Sequence, residues 1–230
     1  MTTLLECTNL SAGYGQLAAI RDIDLHIDAG EVVALIGRNG AGKSSTLLAL
    51  SGALKPMQGE VRWKGEVTKA PLHVRCGEGL SYLTEERSII MNMSAADNLR
   101  LGGVSREHAV EMFPELAPLL KRTAGLMSGG EQQMLALARA LGRDPEVLLA
   151  DELSLGLAPL VVTRLLNAIR AAADERGVGI LLVEQHVRQA LAVADRVYVI
   201  DRGSITMSGP VSEMMGRIDE IEAAYLSTAT

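Results

Sequence analysis

The sequence is poor in the groups that cross-link chains or cross membranes. Its two cysteines, Cys7 and Cys76, form no CxxC pair, which argues against a disulfide scaffold or a zinc site and fits a reducing compartment. With one Trp and one Phe in 230 residues, the core has to be built from Leu, Val, Ile, Ala and Met. No stretch approaches the roughly 20 apolar residues that span a bilayer, and the longest runs, such as Ile180-Leu181-Leu182-Val183, are strand-sized. Met1 to Glu6 lacks the basic and long apolar regions of a secretory signal. Any link to a membrane is therefore expected to pass through a partner chain. Positive charge is also short: the net charge is −6, which argues against a protein whose main task is to grip nucleic acid. Internal repeats, low-complexity tracts and long Pro/Gly/Ser linkers are missing too, so one domain over residues 1–230 is expected.

What is present is ample material for a core, 48% apolar residues. Four short, nearly continuous apolar runs read as buried parallel strands: Val32 to Ile36, Val147 to Ala150, Ile180 to Val183 and Val197 to Ile200. Helical patterns separate them. The clearest is Pro159 to Arg176, with an apolar stripe of Leu160, Leu165, Leu166 and Ile169 and with Gly177 placed to stop the helix. Leu4 to Leu10 and Ile23 to Ile27 instead alternate apolar with polar, as strands with one wet face do. With Gly59 to Trp63 they suggest a small antiparallel lobe. From about Glu86 to Gly142 strand signals vanish and Leu, Met and Ala dominate, which predicts an inserted helical lobe. The expected fold is thus α/β, a core sheet flanked by helices built from about residues 1–85 and 143–230 together with the β lobe, the helical lobe occupying about 86–142.

Three segments carry chemistry. Gly37-Arg38-Asn39-Gly40-Ala41-Gly42-Lys43-Ser44 fits the phosphate loop G-x-x-x-x-G-K-[ST], with a buried strand before it and a helical pattern from Ser45 after it. The glycines let backbone N–H groups curl around phosphate oxygens, and the helix N-terminus adds partial positive charge. Lys43 is expected at the β- and γ-phosphates and Ser44 at Mg²⁺, marking the core as a P-loop NTPase. Second, the apolar strand Val147 to Ala150 ends in Asp151 and Glu152. Ligands of a parallel sheet sit beyond its strands' carboxyl ends, so Asp151 suits a hard cation and Glu152 a general base. Third, Ser128-Gly129-Gly130-Glu131 reads as a capping box and equally as an anion site at a helix N-terminus. Position alone leaves both open.

The three in this order resemble the ATP-binding-cassette (ABC) family over essentially the whole chain. The match looks closest to the LivF-like branched-chain amino acid importer ATPases, carried by Gly40 to Ser44, Met127 to Leu135, Ser154 to Pro159 and Leu182 to Gln185. The resemblance implies a head-to-tail dimer with two sandwiched ATP molecules. Residues Gly37 to Ser45 of one chain would hold a nucleotide whose γ-phosphate meets Ser128, Gly129 and Gly130 of the other. Tyr14 takes the position of the aromatic that stacks on adenine. Asp151 would lie near Mg²⁺, and Glu152 would be the catalytic carboxylate. The partners implied are transmembrane permease chains, a second ATPase subunit (an identical copy or a LivG-like sister) and, indirectly, a solute-binding protein. The place implied is the inner face of the cell membrane, and the cargo a branched-chain amino acid or a related small polar solute. The competing class is a soluble ABC ATPase acting on DNA or the ribosome. The chain carries none of that class's coiled-coil insertions, zinc modules or second cassette.

The sequence departs from the family pattern at four places. Glu85 stands where most cassettes place a Gln that helps to hold Mg²⁺. Gln185 stands at the position of the γ-phosphate-sensing histidine, with His186 next to it, and the sensing role is open between the two. Leu153 replaces a common Pro, and Ala158 a common Asp. Met91, Met93, Met112, Met127, Met134, Met214 and Met215 read as gap-fillers in helix packing. Trp63 falls in the β lobe without a functional role, and Asp219 to Glu222 suits a solvated C-terminal helix.

Overall fold

A computed structural model describes residues 2–218; the expected helix over Asp219 to Glu222 lies outside the described residues. Strands β1 (Thr3–Tyr14) and β2 (Leu17–Asp28) form a long antiparallel hairpin, with Leu5 opposite Ile27 and Tyr14 opposite Leu17. Both run further than the alternation suggested. β3 (Val32–Ile36), buried at every residue, then enters a second sheet and leads to helix α1 (Lys43–Ser51). The chain returns to the first sheet as β4 (Pro56–Trp63) and the short β5 (Glu66–Val67), giving the order β2-β1-β4-β5. Trp63 turns into that sheet's core and is 8% exposed.

After α2 (Leu72–Gly77), β6 (Leu80–Leu83) joins the second sheet at its far edge. No strand element occurs in the stretch that follows: α3 (Ala95–Leu101), α4 (Arg106–Met112), two 3₁₀ turns and α5 (Gly129–Leu141) come before β7 (Val147–Asp151). Then α6 (Pro159–Arg176), β8 (Gly179–Glu184), α7 (Val187–Leu191), β9 (Arg196–Asp201), β10 (Ser204–Pro210), α8 (Val211–Met214) and a 3₁₀ turn (Met215–Arg217) complete the described chain. The second sheet has the order β10-β9-β3-β8-β7-β6. Its strands run parallel except for the edge strand β10, which pairs antiparallel with β9.

Side-chain alternation divides the second sheet between two cores. Leu149, Leu181 and Val183 pack with α1 and the antiparallel sheet. Their neighbours Leu148, Ala150, Ile180 and Leu182 pack with α5 and α6 on the other face. This is why both faces of these strands read as apolar. The same core takes in Leu99, Ala109 and Phe113, so the helical segment shares its burial with the sheet.

Helix α6 begins and ends where the sequence predicts, with Pro159 in its first turn and Gly177 closing it at φ 70. Its stripe needs one correction. Leu160 is 83% exposed, because in the first turn it lies off the face that buries Val162, Leu165, Leu166 and Ile169. The methionines divide as well. Met127, Met134 and Met214 fill core space, whereas Met91 and Met215 are about half exposed and do not. Leu153, in the place of a proline, is buried in the α5–α6 core.

Candidate nucleotide site

β3, β7, β8 and β6 deliver their carboxyl ends to one side of the sheet. From β3 the chain turns through residues 37–42 into α1. Gly40 and Gly42 sit at φ 79 and 109, values open to glycine and rarely to other residues. At Gly42 a methyl group would also come within 2.8 Å of Ile20 Cγ2. Lys43, the first helical residue and 4% exposed, folds back over the loop. Its Nζ donates to Gly37 O at 2.8 Å and to Arg38 O at 3.2 Å. The same ammonium lies 3.4 Å from Glu152 Oε1. Loop, lysine and helix N-terminus thus face the same space, a natural cradle for phosphate oxygens.

Asp151 closes β7 and is 4% exposed. Burial raises its carboxyl above the usual range, assisted by Glu152 and Glu85 and opposed by a hydrogen bond from Ser44 and by the charge of Lys43. Its Oδ1 is buried with no hydrogen-bond partner. An orphaned carboxylate oxygen normally costs on the order of 1–3 kcal/mol, and beside the Ser44 hydroxyl it has the chemistry a hard cation requires. Among the described residues no cluster of three or more His, Cys, Asp or Glu could hold a metal. The Asp151 carboxylate and the Ser44 hydroxyl are hard oxygen donors, which fit Mg²⁺ completed by phosphate and water.

Glu152 follows at φ 49, a left-handed conformation that costs a non-glycine residue roughly 1–3 kcal/mol and persists only where its surroundings enforce it. Three contacts enforce it here. Its N–H donates to Val183 O at 3.0 Å. Gln185 Nε2 donates to its Oε2 at 2.7 Å. Lys43 approaches its other oxygen, as above. The turn beyond it is held by Glu184, whose carboxylate accepts from Ser154 N at 3.0 Å and Ser154 Oγ at 2.6 Å. Glu184 is 1% exposed, and burial pushes its carboxyl up against the opposing pull of those Ser154 bonds.

These groups open onto a cavity of about 450 Å³. Asn39, Gly40, Gly42, Lys43, Ser44 and Ser45 line it from the loop side, and Glu85, Glu152 and Gln185 from the strand ends. Gly37, Arg38 and Ala41 support the loop from behind: Ala41 is 5% exposed, and its N–H donates to Arg38 O at 3.1 Å. Of the two sensing candidates, Gln185 enters this space. His186 is exposed as the N-cap residue of α7 and does not line the cavity. Tyr14 stands at the end of β1 with 61% of its surface exposed, outside the cavity lining.

Ser128, Gly129 and Gly130 form the start of α5 instead of a wall of this cavity. The capping box is complete: Ser128 Oγ accepts from Glu131 N at 3.3 Å, and Glu131 Oε2 accepts from Ser128 N at 2.6 Å. Ser128 and Gly129 are exposed. The two readings left open by position are compatible, because the box satisfies its own donors and still leaves a glycine-lined helix N-terminus facing outward.

Two groups that the sequence reading did not single out complete the neighbourhood. Glu184 holds the turn after Glu152 from 30 residues away, and Arg87 reaches from the turn after β6 to α5. Neither role shows in a local pattern, although Glu184 falls within the matching segment Leu182 to Gln185. Glu184 is one more residue of an apolar strand, and Arg87 one more charge in a polar turn.

A family model described as ABC transporter matches residues 20–154. The chain is 38% identical over 233 residues to the high-affinity branched-chain amino acid transport ATP-binding protein BraG of Pseudomonas aeruginosa, covering 97% of this chain and 99% of that one. It is 35% identical to the probable branched-chain amino acid transport ATP-binding protein LivF of Archaeoglobus fulgidus, with 92% and 94% covered. Among solved structures, the ATP binding subunit of an ABC transporter superposes with a TM-score of 0.82 at 26% identity, covering 96% of this chain and 98% of that one.

Proposed function

This chain belongs to the ABC transporter family, as an ATP-hydrolysing subunit of a membrane transporter, and we propose which of its residues drive hydrolysis and what cargo it serves. The reading is carried by one observation: Lys43, Ser44, Glu85, Glu152 and Gln185 converge on one cavity at the strand ends, with Asp151 buried beside it.

In the proposed cycle the loop from Gly37 to Ser45 wraps the β- and γ-phosphates, and Lys43 balances their charge. Ser44, Asp151 and Glu85 would hold Mg²⁺, which would supply neutralisation of charge on the phosphate oxygens. Glu152 orients water for in-line attack on the γ-phosphate and accepts its proton. Gln185 fixes the carboxylate through its second oxygen and senses whether the γ-phosphate is present; His186 stays outside. Tyr14 stacks its ring on adenine.

The exposed Ser128-Gly129-Gly130 is read as half of a second site. Placed over the nucleotide of another ATPase chain, it would close a head-to-tail dimer around two ATP molecules. The partner is an identical chain or a LivG-like sister. Closure and reopening would work transmembrane permease chains at the inner face of the membrane. Among the described residues no helix is long and apolar enough to cross a membrane. A branched-chain amino acid or a related small polar solute, delivered by a solute-binding protein, is the proposed cargo, supported by the names of BraG and LivF.

The test is to tag the chain, solubilise native membranes in detergent, and identify what co-purifies with ATP and Mg²⁺. Permease chains, with or without a second cassette, are expected, and leucine with its binding protein should then stimulate ATP hydrolysis in proteoliposomes. Recovery of ribosomes or DNA-repair proteins alone would contradict the reading.

A further inference from the structure

The turn after β6, residues 84–88, faces two ways. Glu85 lines the nucleotide cavity. Arg87 points to α5, where Nε donates to Gln133 Oε1 at 2.7 Å and Nη1 to Gln132 Oε1 at 3.0 Å. The turn is strained, with Arg87 at φ 65 and Ser88 at φ 50, and two successive left-handed residues other than glycine need outside support. That support comes from α5 at two levels. Arg87 holds the two glutamines near the helix start, and Arg139 Nη1 donates to Ser88 O at 2.6 Å near its end.

A methyl group on Gly129 would lie 3.7 Å from Arg87 Nη2, so the charge sits against the first turn of α5. A helix N-terminus favours anions and disfavours cations. The acceptors that hold Arg87 are neutral amides, on residues only 8% and 2% exposed. The acid of that turn, Glu131, is turned back onto the Ser128 N–H. A cation at the positive end of a helix, held by neutral groups beside two glycines, strengthens that end's attraction for an anion.

We propose that Arg87 is a positioning residue of the composite nucleotide site. It locks the Ser128-Gly129-Gly130 turn onto the Glu85 turn and adds positive charge where the γ-phosphate held by the other chain docks. It thereby ties a chain's own cavity, through Glu85, to the surface that the chain offers its partner. This rests on the two-chain reading of the site given above.

The test uses the full chain with Glu152→Gln, so that ATP is bound but not consumed. ATP-driven dimerisation is followed by sedimentation velocity, and ATP affinity of the separate chain by calorimetry. With Arg87→Gln added, dimerisation is expected to weaken by at least about tenfold while single-chain affinity stays within about twofold. Arg87→Lys, which keeps charge but loses the fork, should fall between. Gln133→Leu attacks the same contact from the helix and should weaken dimerisation in the same direction, so the result does not hang on one variant's folding. Dimerisation unchanged in Arg87→Gln and Gln133→Leu overturns the role of Arg87 and leaves the two-chain site standing. If the Glu152→Gln parent binds ATP yet never dimerises, the two-chain site falls, and this inference with it.

Discussion

The two halves of the proposed ATP site are built in opposite ways. On the phosphate-loop side Lys43 and Asp151 are buried, Glu152 and Gln185 half-buried, and the groups are tied to one another. Lys43 is held by Gly37 and Arg38, Glu152 by Gln185 and Lys43, and the following turn by Glu184. On the signature side Ser128 and Gly129 are exposed, and the capping box bonds only within its own turn. The first half is preorganised for charge and for water, as catalytic electrostatics requires. The second offers shape and a helix dipole to something brought from outside. A chain so divided is expected to hold nucleotide alone and, on the proposed two-chain site, to hydrolyse it only with a partner.

The largest expected effect comes from breaking the first half. Glu152→Gln should lower turnover by roughly 10²–10⁴-fold, the usual worth of a general base, with ATP affinity nearly unchanged because Lys43 and the loop remain. A steady-state phosphate-release assay beside a binding titration separates the two. Loss of binding together with turnover would show that Glu152 holds the loop and does not act on water.

A smaller effect concerns the clamp that supports the left-handed Glu152. Burial holds the Glu184 carboxyl above its ordinary range, so the folded state binds that proton more tightly than the unfolded chain. The stability it contributes is therefore present below the ordinary carboxylate range and is lost as pH rises through the elevated folded value. Asp151 shifts in the same direction for the same first cause, burial. Glu184→Gln should remove the Glu184 share of this slope and leave that of Asp151, a flattening measurable by denaturant titration across pH. Identical slopes in the two proteins would contradict the assigned cause.

The smallest effect is expected at Tyr14, which is exposed and outside the cavity wall. Stacking of this kind is worth about 0.5–1.5 kcal/mol, so Tyr14→Ala should raise KM for ATP a few-fold with kcat unchanged. A change in kcat instead would place Tyr14 in the machinery of hydrolysis or closure.

The buried half was also the more legible in the sequence. Unbroken apolar runs identified β3, β7, β8 and most of β9, and glycine spacing identified the loop. Each of these is a local consequence of burial or backbone geometry. β6 was harder to read, because Ser81 and Tyr82 interrupt a run of only four residues. The edge strand β10, with alternating partial exposure and two closing residues Gly209-Pro210, carries little strand signal. The stripe of α6 included Leu160 because periodicity alone does not say where a helix first meets the sheet. Arg87 and Glu184 were not legible at all, since their partners lie 45 and 30 residues away. Which of Gln185 and His186 faces the cavity needed coordinates too: neighbours in sequence, they leave the end of β8 in different directions, one to Glu152 and the other to the surface.

The most direct test of the divided site is complementation between two inactive chains. One carries Glu152→Gln, with its signature turn intact; the other carries Ser128→Arg, with its phosphate-loop half intact. A mixed dimer pairs one sound half from each, so mixing should restore ATP hydrolysis toward roughly a quarter of the unmodified level, half the dimers having one sound site of two. Activity that stays at the sum of the two separate preparations, while mixed dimers are shown to form, would mean that each chain builds its site alone.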